Sequence, residues 1–235
     1  MTPDALTQLM DETWPAASMQ TVGPWVIREG KGGGQRVTAA SAMQGVSGAD
    51  LELAENAMQA LGQSPLFLIR ATDVALDAAL DARGYRLHDP VVAYASPCRA
   101  LAQIPPPMTT FAHWPPMAIA VDLWAQGGIG PGRLAVMQRA KGAKTAILSR
   151  AKDRASGVAF VAMSGKTAML HALEVAPAMR RQGSAHNILR AAAVWAQDQG
   201  ADTLSLVVTR ANEDARRLYA SFGMPVVGQY HYRQK

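Results

Sequence analysis

The sequence predicts a mixed α/β fold, in which a smaller α+β unit precedes a larger sheet that is layered with helices. Strand and helix patterns alternate in the last third of the chain, which is the arrangement that layers helices on a sheet. A shorter run of the same kind lies in the first half, and a proline-rich stretch separates the two. These three observations indicate two α/β units in one chain.

The first predicted element is a helix over residues 3–14. Leu6, Met10 and Trp14 recur every four residues, which places them on one helix face, and Pro15 ends the pattern. This spacing is typical of a helix with one apolar face.

A glycine-rich run follows at residues 30–34, which read GKGGG. Strand-forming residues at 25–28 and 36–40 flank it, so we predict a β-hairpin that turns through the glycines. Periodicity and a glycine after the second helix predict the rest of this unit: helices over residues 49–61 and 74–82, and strands over 66–69 and 86–95.

Residues 97–107 contain four prolines in eleven residues, a composition that continues neither a helix nor a central strand. We place a domain boundary there, with an N-terminal domain at 1–97, a linker at 98–107 and a main domain at 108–235. The main domain has predicted strands at 109–114, 145–149, 157–163, 168–175, 203–209 and 226–232, and predicted helices at 117–125, 133–140, 183–199 and 212–222.

The two units share a local pattern. Residues 76–85 and 215–224 both read as a helix, a glycine and an apolar residue, and a strand follows each. Duplication explains this similarity, but a glycine after a helix is common in all proteins, so both explanations stay open.

Charge and composition favour a small anionic ligand over a polyanion. The chain has 23 Lys and Arg against 18 Asp and Glu, a formal net charge of +5, yet only 17% of its residues are charged. The basic residues are dispersed, whereas nucleic-acid-binding proteins usually cluster them on one face. We expect no nucleic acid partner.

The number of cysteines and the length of the apolar runs indicate in which cellular compartment the protein lies. Cys98 is the single cysteine, so no intrachain disulfide forms, and no Cys/His cluster has the spacing of a metal site. The N-terminus lacks a basic signal region, and no apolar run approaches the roughly 18 residues of a membrane span. We expect a cytoplasmic protein without membrane association.

The turn at residues 180–185, which read RRQGSA, is the clearest candidate binding site. A glycine and small residues at the start of a helix let backbone N–H groups approach an anion, and the helix dipole adds positive charge. Arg180 and Arg181 suit phosphate oxygens. The turn matches neither the Walker loop nor the dinucleotide fingerprint, and an ordinary surface loop is the alternative.

This turn resembles the [QR]xxGx[GA] motif of the GNAT N-acetyltransferase superfamily, which binds the pyrophosphate of acetyl-CoA. Residues 175–177, which read VAP, resemble the end of that family's splayed fourth strand. Residues 212–224, NEDARRLYASFGM, resemble its NxxAxxLYxxxGF motif, with methionine at the last position. The resemblance covers residues 108–235 and implies a GNAT-type, mainly antiparallel sheet flanked by helices. Residues 1–97 are similar to the degenerate first half of two-domain members.

The resemblance implies a set of cofactor contacts and a reaction. The amine attacks the thioester of acetyl-CoA directly, which requires a proton acceptor for the amine and a donor for the leaving thiolate. The implied contacts with acetyl-CoA are Leu173, Val175, Arg180, Arg181, Gln182, Gly183, Ser184, Ala185, His186 and Asn212.

Three residues are candidates for the proton transfers. Tyr219 matches the family tyrosine that protonates the thiolate; the alternative is a core aromatic. Val207 stands where many members carry a glutamate, so we consider His171 and Glu174 on the preceding strand instead. Strand alternation puts these two on opposite faces unless a bulge intervenes. Each also has a structural alternative, a buried histidine or a solvated carboxylate.

The sequence leaves two functions open. The first is an acetyl-CoA-dependent N-acetyltransferase that acts on a primary amine of a small molecule, peptide or protein. The second is a non-catalytic acyl-CoA-binding regulatory protein, because Val207 leaves the base uncertain. Asn212 also suits a helix N-cap, and an oligomer is compatible with either function.

Overall fold

The computed structural model describes residues 1–43 and 50–235, so Ala49 of the second predicted helix lies outside the described residues. The helices are α1 (Pro3–Thr13), α2 (Leu51–Ala60), α3 (Val74–Ala82), α4 (Cys98–Leu101), α5 (Ala118–Gln126), α6 (Pro131–Arg139), α7 (Ser184–Asp198) and α8 (Glu213–Ser221). The strands are β1 (Ser18–Val22), β2 (Trp25–Glu29), β3 (Ser41–Ala42), β4 (Leu66–Arg70), β5 (Arg86–Pro97), β6 (Thr110–His113), β7 (Lys144–Ala151), β8 (Arg154–Ser164), β9 (Thr167–Val175), β10 (Thr203–Thr209) and β11 (Val226–Gln234).

Strands from both halves of the chain form one eight-stranded sheet, in the order β4-β11-β5-β10-β9-β8-β7-β6. Its pairs are antiparallel except β9 with β10, which run parallel. A smaller antiparallel sheet contains β1, β2 and β3. The predicted mixed α/β class, with a mainly antiparallel sheet flanked by helices, is confirmed.

The order of elements occurs twice along the chain. The series β1-β2-β3-α2-β4-α3-β5 has the same order as β7-β8-β9-α7-β10-α8-β11. The last strand of each series pairs with the other series, since β11 lies beside β4 and β5 lies beside β10. The sheet is therefore continuous between the two halves, and the domain boundary at 98–107 stays a prediction.

The predicted glycine hairpin is wrong. The strand β2 pairs instead with β1 through a turn at Gly23, whose φ is +56°. Residues 36–40 are not a strand, because the chain leaves Gly34 into a single 3₁₀ turn, Gln35–Val37. The side chains of β1 are largely exposed, so this edge strand lacks the hydrophobic alternation by which a strand is predicted.

The proline-rich stretch also begins differently from its prediction. Cys98–Leu101 form one turn of helix, with Pro97 at the N-cap position where its missing N–H costs nothing. Cys98 and Leu101 are buried in the core cluster beneath α7. This part of the predicted linker is therefore packed against the main sheet.

The helix α1 is packed on the opposite face of the sheet from α7. Leu6, Leu9 and Met10 lie in a cluster with Met169 of β9 and Tyr230 of β11, so the apolar face predicted from the sequence is buried. Across the described ranges, none of the helices has both the length and the apolar composition that crossing a membrane requires.

A buried ion pair ties α1 to the small sheet. Arg28 of β2 is 2% exposed, and its guanidinium binds both carboxylate oxygens of Asp11, at 2.7 and 2.8 Å. It also donates to the carbonyl of Ala39 and the hydroxyl of Ser41. These contacts compensate the cost of taking a cation out of water.

Replacing Asp11 should destabilise the protein strongly. Asp11→Ala leaves the Arg28 cation buried without its carboxylate, so we expect the free energy of unfolding to fall by about 3 kcal/mol. Urea denaturation measures it. Glu213→Ala is the control, since it removes an exposed pair of the same 2.7 Å length and should cost less than about 1 kcal/mol. Equal losses in the two variants would contradict this account.

Candidate functional site

The two parallel strands at the centre of the main sheet separate along their length. β9 and β10 pair only as far as Leu170 opposite Leu206. Beyond this pair, β9 continues to pair with β8 and β10 continues to pair with β5. An opening therefore lies between residues 171–175 and 207–209.

A β-bulge in β9 decides which side chains face this opening. The φ of Ala172 is +52°, and the register of β9 against β8 shifts between Val158 and Phe160. An extra residue in one strand interrupts the alternation of side chains between the two faces. His171 and Glu174 therefore lie on the same face of the sheet.

Contacts with the surrounding helices support this placement. The rings of His171 and Trp14 are 5.0 Å apart, and Trp14 lies in the core cluster beneath α5. Glu174 lies against the end of the same helix, where a Cβ on Gly127 would be 2.5 Å from the Cγ of Glu174. Trp124 of α5 donates to the carbonyl of the bulge residue at 2.8 Å. The alternation predicted from the sequence fails here because of the bulge.

The turn at residues 180–185 leads into the N-terminus of α7. Gly183 is the N-cap residue with a φ of +84°, a conformation that glycine adopts without strain. In the part of the chain that the structure describes, the backbone N–H groups of residues 183–186 have no acceptor, and the first helical bond runs from Asn187 to Gly183. The helix therefore presents several donors and the positive end of its dipole.

Two arginines flank this helix N-terminus. The Nε of Arg180 donates to the carbonyl of Val175 at 3.2 Å, and its Nη2 lies 3.6 Å from Oε1 of Glu174. Arg181 binds Asp214 of α8 at 2.8 Å and is 82% exposed. Exposed ion pairs contribute little stability, so an anion at the turn can recruit either guanidinium.

The remaining predicted residues of the turn differ in their exposure. Gln182 has a buried Oε1 that, within the described ranges, has no hydrogen-bond partner. Ser184 is buried and bonded to a serine of β8, and Ala185 is half-buried. The exposed ring of His186 lies 5.2 Å from the ring of Phe222, which caps α8.

The predicted contacts outside the turn lie on both sides of the opening. Leu173 and Val175 are half-buried in β9, and Leu173 contacts the core cluster beneath α7. Asn212 is the N-cap of α8, and its Oδ1 accepts from the N–H of Ala215 at 3.1 Å, which confirms the capping interpretation. Val207 contacts the apolar cluster beneath α1.

Tyr219 lies at the start of the opening, on the α7 side of the sheet. Its side chain is buried in the same core cluster as Leu206, and its ring lies 5.5 Å from that of Tyr94, which pairs with Leu206 across the sheet. Burial, assisted by Tyr94, raises the pKa of Tyr219 far above its ordinary value. The phenol therefore keeps its proton at neutral pH.

His171 is held between two partners. Thr13 donates its hydroxyl hydrogen to the carbonyl of Leu9 at 2.6 Å, so its oxygen accepts from Nε2 of His171 at 3.0 Å. Nδ1 is then the acceptor for Nη1 of Arg36, also at 3.0 Å. Burial and the Arg36 charge hold the pKa of His171 well below 6.5, so the ring is neutral.

Sequence reasoning missed the residues that surround His171 and Glu174. Arg36, Thr13 and Trp14 come from the N-terminal half of the chain, and Gly127 ends a helix in the main domain. No local spacing links these positions with β9. Only the packing of α1, the 3₁₀ turn and α5 against the bulge brings them together.

A family of known proteins matches the part of the chain that contains the separating strands and the turn before α7. Residues 134–224 match the sequence model of the Acetyltransferase (GNAT) family. Over this region the chain is similar to acetyltransferases of the GNAT family. The matched region includes both separating strands, the turn before α7 and all of α8.

Similarity to individual proteins extends over nearly the whole chain. The uncharacterized N-acetyltransferase YobR of Bacillus subtilis (strain 168) is 25% identical over 240 residues, which cover 98% of this chain and 97% of the relative. This similarity thus includes the N-terminal half as well as residues 134–224.

Two solved structures have a similar fold. A GCN5-related N-acetyltransferase from Kribbella flavida has a TM-score of 0.75 at 17% identity, covering 99% of this chain and 95% of its own. A functionally unknown conserved protein from Staphylococcus epidermidis ATCC 12228 has a TM-score of 0.71 at 11% identity, covering 97% and 98%. At these identities the likeness concerns the fold alone.

The neutral, buried ring of His171 predicts how stability depends on pH. Because the folded pKa is lowered, this stabilising contribution is complete above pH 6.5 and is lost as the pH falls towards the folded pKa. The free energy of unfolding should therefore change by up to about 1.4 kcal/mol per pH unit in this range because of His171. Chemical denaturation between pH 5 and pH 7.5 should therefore show a steeper loss in the wild type than in His171→Gln.

A control separates titration from general weakening of the same cluster. Phe160→Leu alters a ring 6.1 Å from His171 without removing a titratable group, so this variant should keep the wild-type slope. Identical slopes in the wild type and His171→Gln would show that His171 is not held neutral.

Proposed function

We propose that the protein is an acetyl-CoA-dependent N-acetyltransferase that transfers the acetyl group to a primary amine. One observation carries this proposal: the opening between β9 and β10 lies directly before a helix N-terminus whose backbone N–H groups have no acceptor within the described residues. A site for a long, anionic thioester needs both features. The single cysteine of the chain suits a reducing compartment, so we propose the cytoplasm as the location.

The residues of the turn fit the pyrophosphate of acetyl-CoA. The N–H groups of residues 183–186 and the dipole of α7 favour an anion. Arg180 and Arg181 add positive charge, and their ion pairs with Glu174 and Asp214 are weak enough to be replaced by contacts with phosphate. The pantetheine arm would then follow the opening past Leu173 and Val175, as the resemblance implies. Asn212 caps α8 at the other side of this opening.

The two proton transfers that we propose are carried out by residues on opposite faces of the sheet. The amine nitrogen attacks the thioester carbon, the C–S bond breaks, and the proton lost by nitrogen and the proton gained by sulfur both need a carrier. Glu174, on the α5 face of the opening, accepts the proton of the amine. Tyr219, on the α7 face, keeps its proton at neutral pH and donates it to the thiolate.

The surroundings of His171 favour a positioning role for this residue over the role of base. Its Nδ1 lone pair accepts from Arg36, and its Nε2–H is donated to Thr13. A base needs a free lone pair towards the amine, whereas the half-buried Glu174 has carboxylate lone pairs beyond its contact at 3.6 Å with Arg180. We therefore assign His171 to holding Arg36 beside the opening.

Acetyl-CoA binding and acetyl transfer test the proposal in two steps. Isothermal titration should show binding of acetyl-CoA to the wild type and weaker binding, by about tenfold, to Arg180→Ala, which loses a charged hydrogen bond to phosphate. The control Arg154→Ala removes an exposed arginine on β8 and should bind normally.

Release of free thiol over a panel of primary amines then tests catalysis. Thiol release that depends on the amine supports the transferase. Binding without thiol release would favour the regulatory acyl-CoA-binding alternative, and the absence of binding would contradict both.

Two substitutions separate the proposed base from the proposed acid. Glu174→Gln should lower kcat/KM by about 100-fold for strongly basic amines, and less for weakly basic amines that are already neutral. Tyr219→Phe should lower kcat by a similar factor for every amine, while the Kd for acetyl-CoA stays unchanged. Steady-state kinetics and titration measure both effects.

The controls for these substitutions lie away from the opening. Glu52→Gln alters an exposed carboxylate of α2, and Tyr85→Phe removes a buried phenol in the core cluster of the N-terminal half. Both should retain wild-type kinetics. Equal losses for weakly and strongly basic amines in Glu174→Gln would contradict its role as base.

A further inference from the structure

Arg36 brings a positive charge from the N-terminal half to the start of the opening. It lies on the 3₁₀ turn Gln35–Val37, and its Nη1 donates to Nδ1 of His171, the first residue of β9 beyond the last pair with β10. Its guanidinium carbon lies 5.9 Å from the centre of the Trp14 ring. The side chain is thus held on the face of the sheet that also carries Glu174.

The charge of Arg36 has no anionic partner in the part of the chain that the structure describes. Among residues 1–43 and 50–235, no carboxylate lies within ion-pair distance of Arg36, its Nε is buried without a hydrogen-bond partner, and the neutral ring of His171 is its one side-chain acceptor. The buried arginines of the same half differ: Arg28 binds Asp11 at 2.7 Å, and Arg70 binds Asp73 at 2.9 Å. Buried donors without a partner are rare in native proteins, and a bound anion is one explanation for this one.

A second arginine adds to this positive region. The Nε of Arg133, in the first turn of α6, lies 3.4 Å from the position that a Cβ on Gly34 would take, two residues before Arg36. Across the described ranges Arg133 also lacks a carboxylate partner. Two unpaired guanidinium groups raise the local concentration of anions.

We propose that Arg36 binds a carboxylate of the acceptor, so that the substrate is a primary amine which also carries a carboxylate. This inference rests on the proposed transferase function and names its substrate class. His171, which holds Arg36, and Glu174 are three residues apart in β9, a distance of at most roughly 10 Å along a strand. A compact amino acid can span it, with its carboxylate on the guanidinium and its amine beside Glu174.

The planar guanidinium suits this role better than an ammonium would. Its forked donors match the two oxygens of a carboxylate, and His171 already fixes its orientation through Nη1. Binding a carboxylate would satisfy the buried Nε and balance the charge in one contact.

Pairs of amines that differ only in the carboxylate test this inference. The probes are L-lysine with cadaverine, L-phenylalanine with phenethylamine, and a tripeptide with a free or an amidated C-terminus. In the wild type, kcat/KM should be about 10- to 100-fold higher for the carboxylate member of at least one pair. The first two pairs test free amino acids, and the third tests a peptide carboxylate.

Variants of Arg36 test whether this side chain causes the preference for carboxylate-bearing amines. Arg36→Gln should reduce the preference to within about twofold, and Arg36→Lys, which keeps the charge but loses the fork, should retain part of it. Arg99→Gln, an exposed arginine of α4 remote from the opening, should keep the full preference. Thermal denaturation and acetyl-CoA binding confirm that each variant is folded.

The outcomes separate this inference from the function on which it rests. Acetylation of amines without any carboxylate preference in the wild type, or with a preference that Arg36→Gln retains, overturns the inference and leaves the transferase intact. If no amine is acetylated, the transferase function itself fails. If Arg36→Gln does not fold, competitive inhibition of the wild type by 3-phenylpropionate but not by its amide supports the inference, and equal inhibition by both overturns it.

Discussion

The separation of β9 from β10 is the constraint on which the candidate site depends. Parallel strands in one sheet normally leave no room for a ligand between them, because their backbone groups bond to each other. Beyond Leu170, β9 stays paired with β8 and β10 stays paired with β5. Both strands therefore remain part of the sheet where they separate from each other. The bulge at Ala172 completes the arrangement by turning Glu174 to the face of His171.

The continuous sheet explains how the N-terminal half contributes to this opening. β5 lies between β11 and β10, so the strand beside the opening comes from the first half of the chain. α1 covers the face of the sheet opposite α7. Thr13, in the last turn of α1, is hydrogen-bonded to Nε2 of His171. The N-terminal half is therefore part of the wall of the site, and Arg36 adds a positive charge to this wall.

A large part of the fold could be predicted from local patterns. The helix at residues 74–82 and the strand at 203–209 have the predicted bounds, because glycines, turns and periodic apolar residues mark their ends. The strand β1 and the turn at Gln35–Val37 could not be predicted, since exposed edge strands and 3₁₀ turns lack a hydrophobic period. The pairing of β5 with β10 and of β11 with β4, which joins the two halves of the chain, likewise leaves no local pattern in the sequence.

Residues that are close together along the chain were enough to predict the class of fold, the helix N-terminus at Gly183 and the resemblance to one family. The sequence also identified Tyr219, His171 and Glu174 as candidates. The packing of the folded chain was needed to show that both ring nitrogens of His171 have partners and that Glu174 lies on the same face of the sheet. Those facts depend on a bulge and on contacts between residues more than 100 positions apart, which no spacing along the chain records.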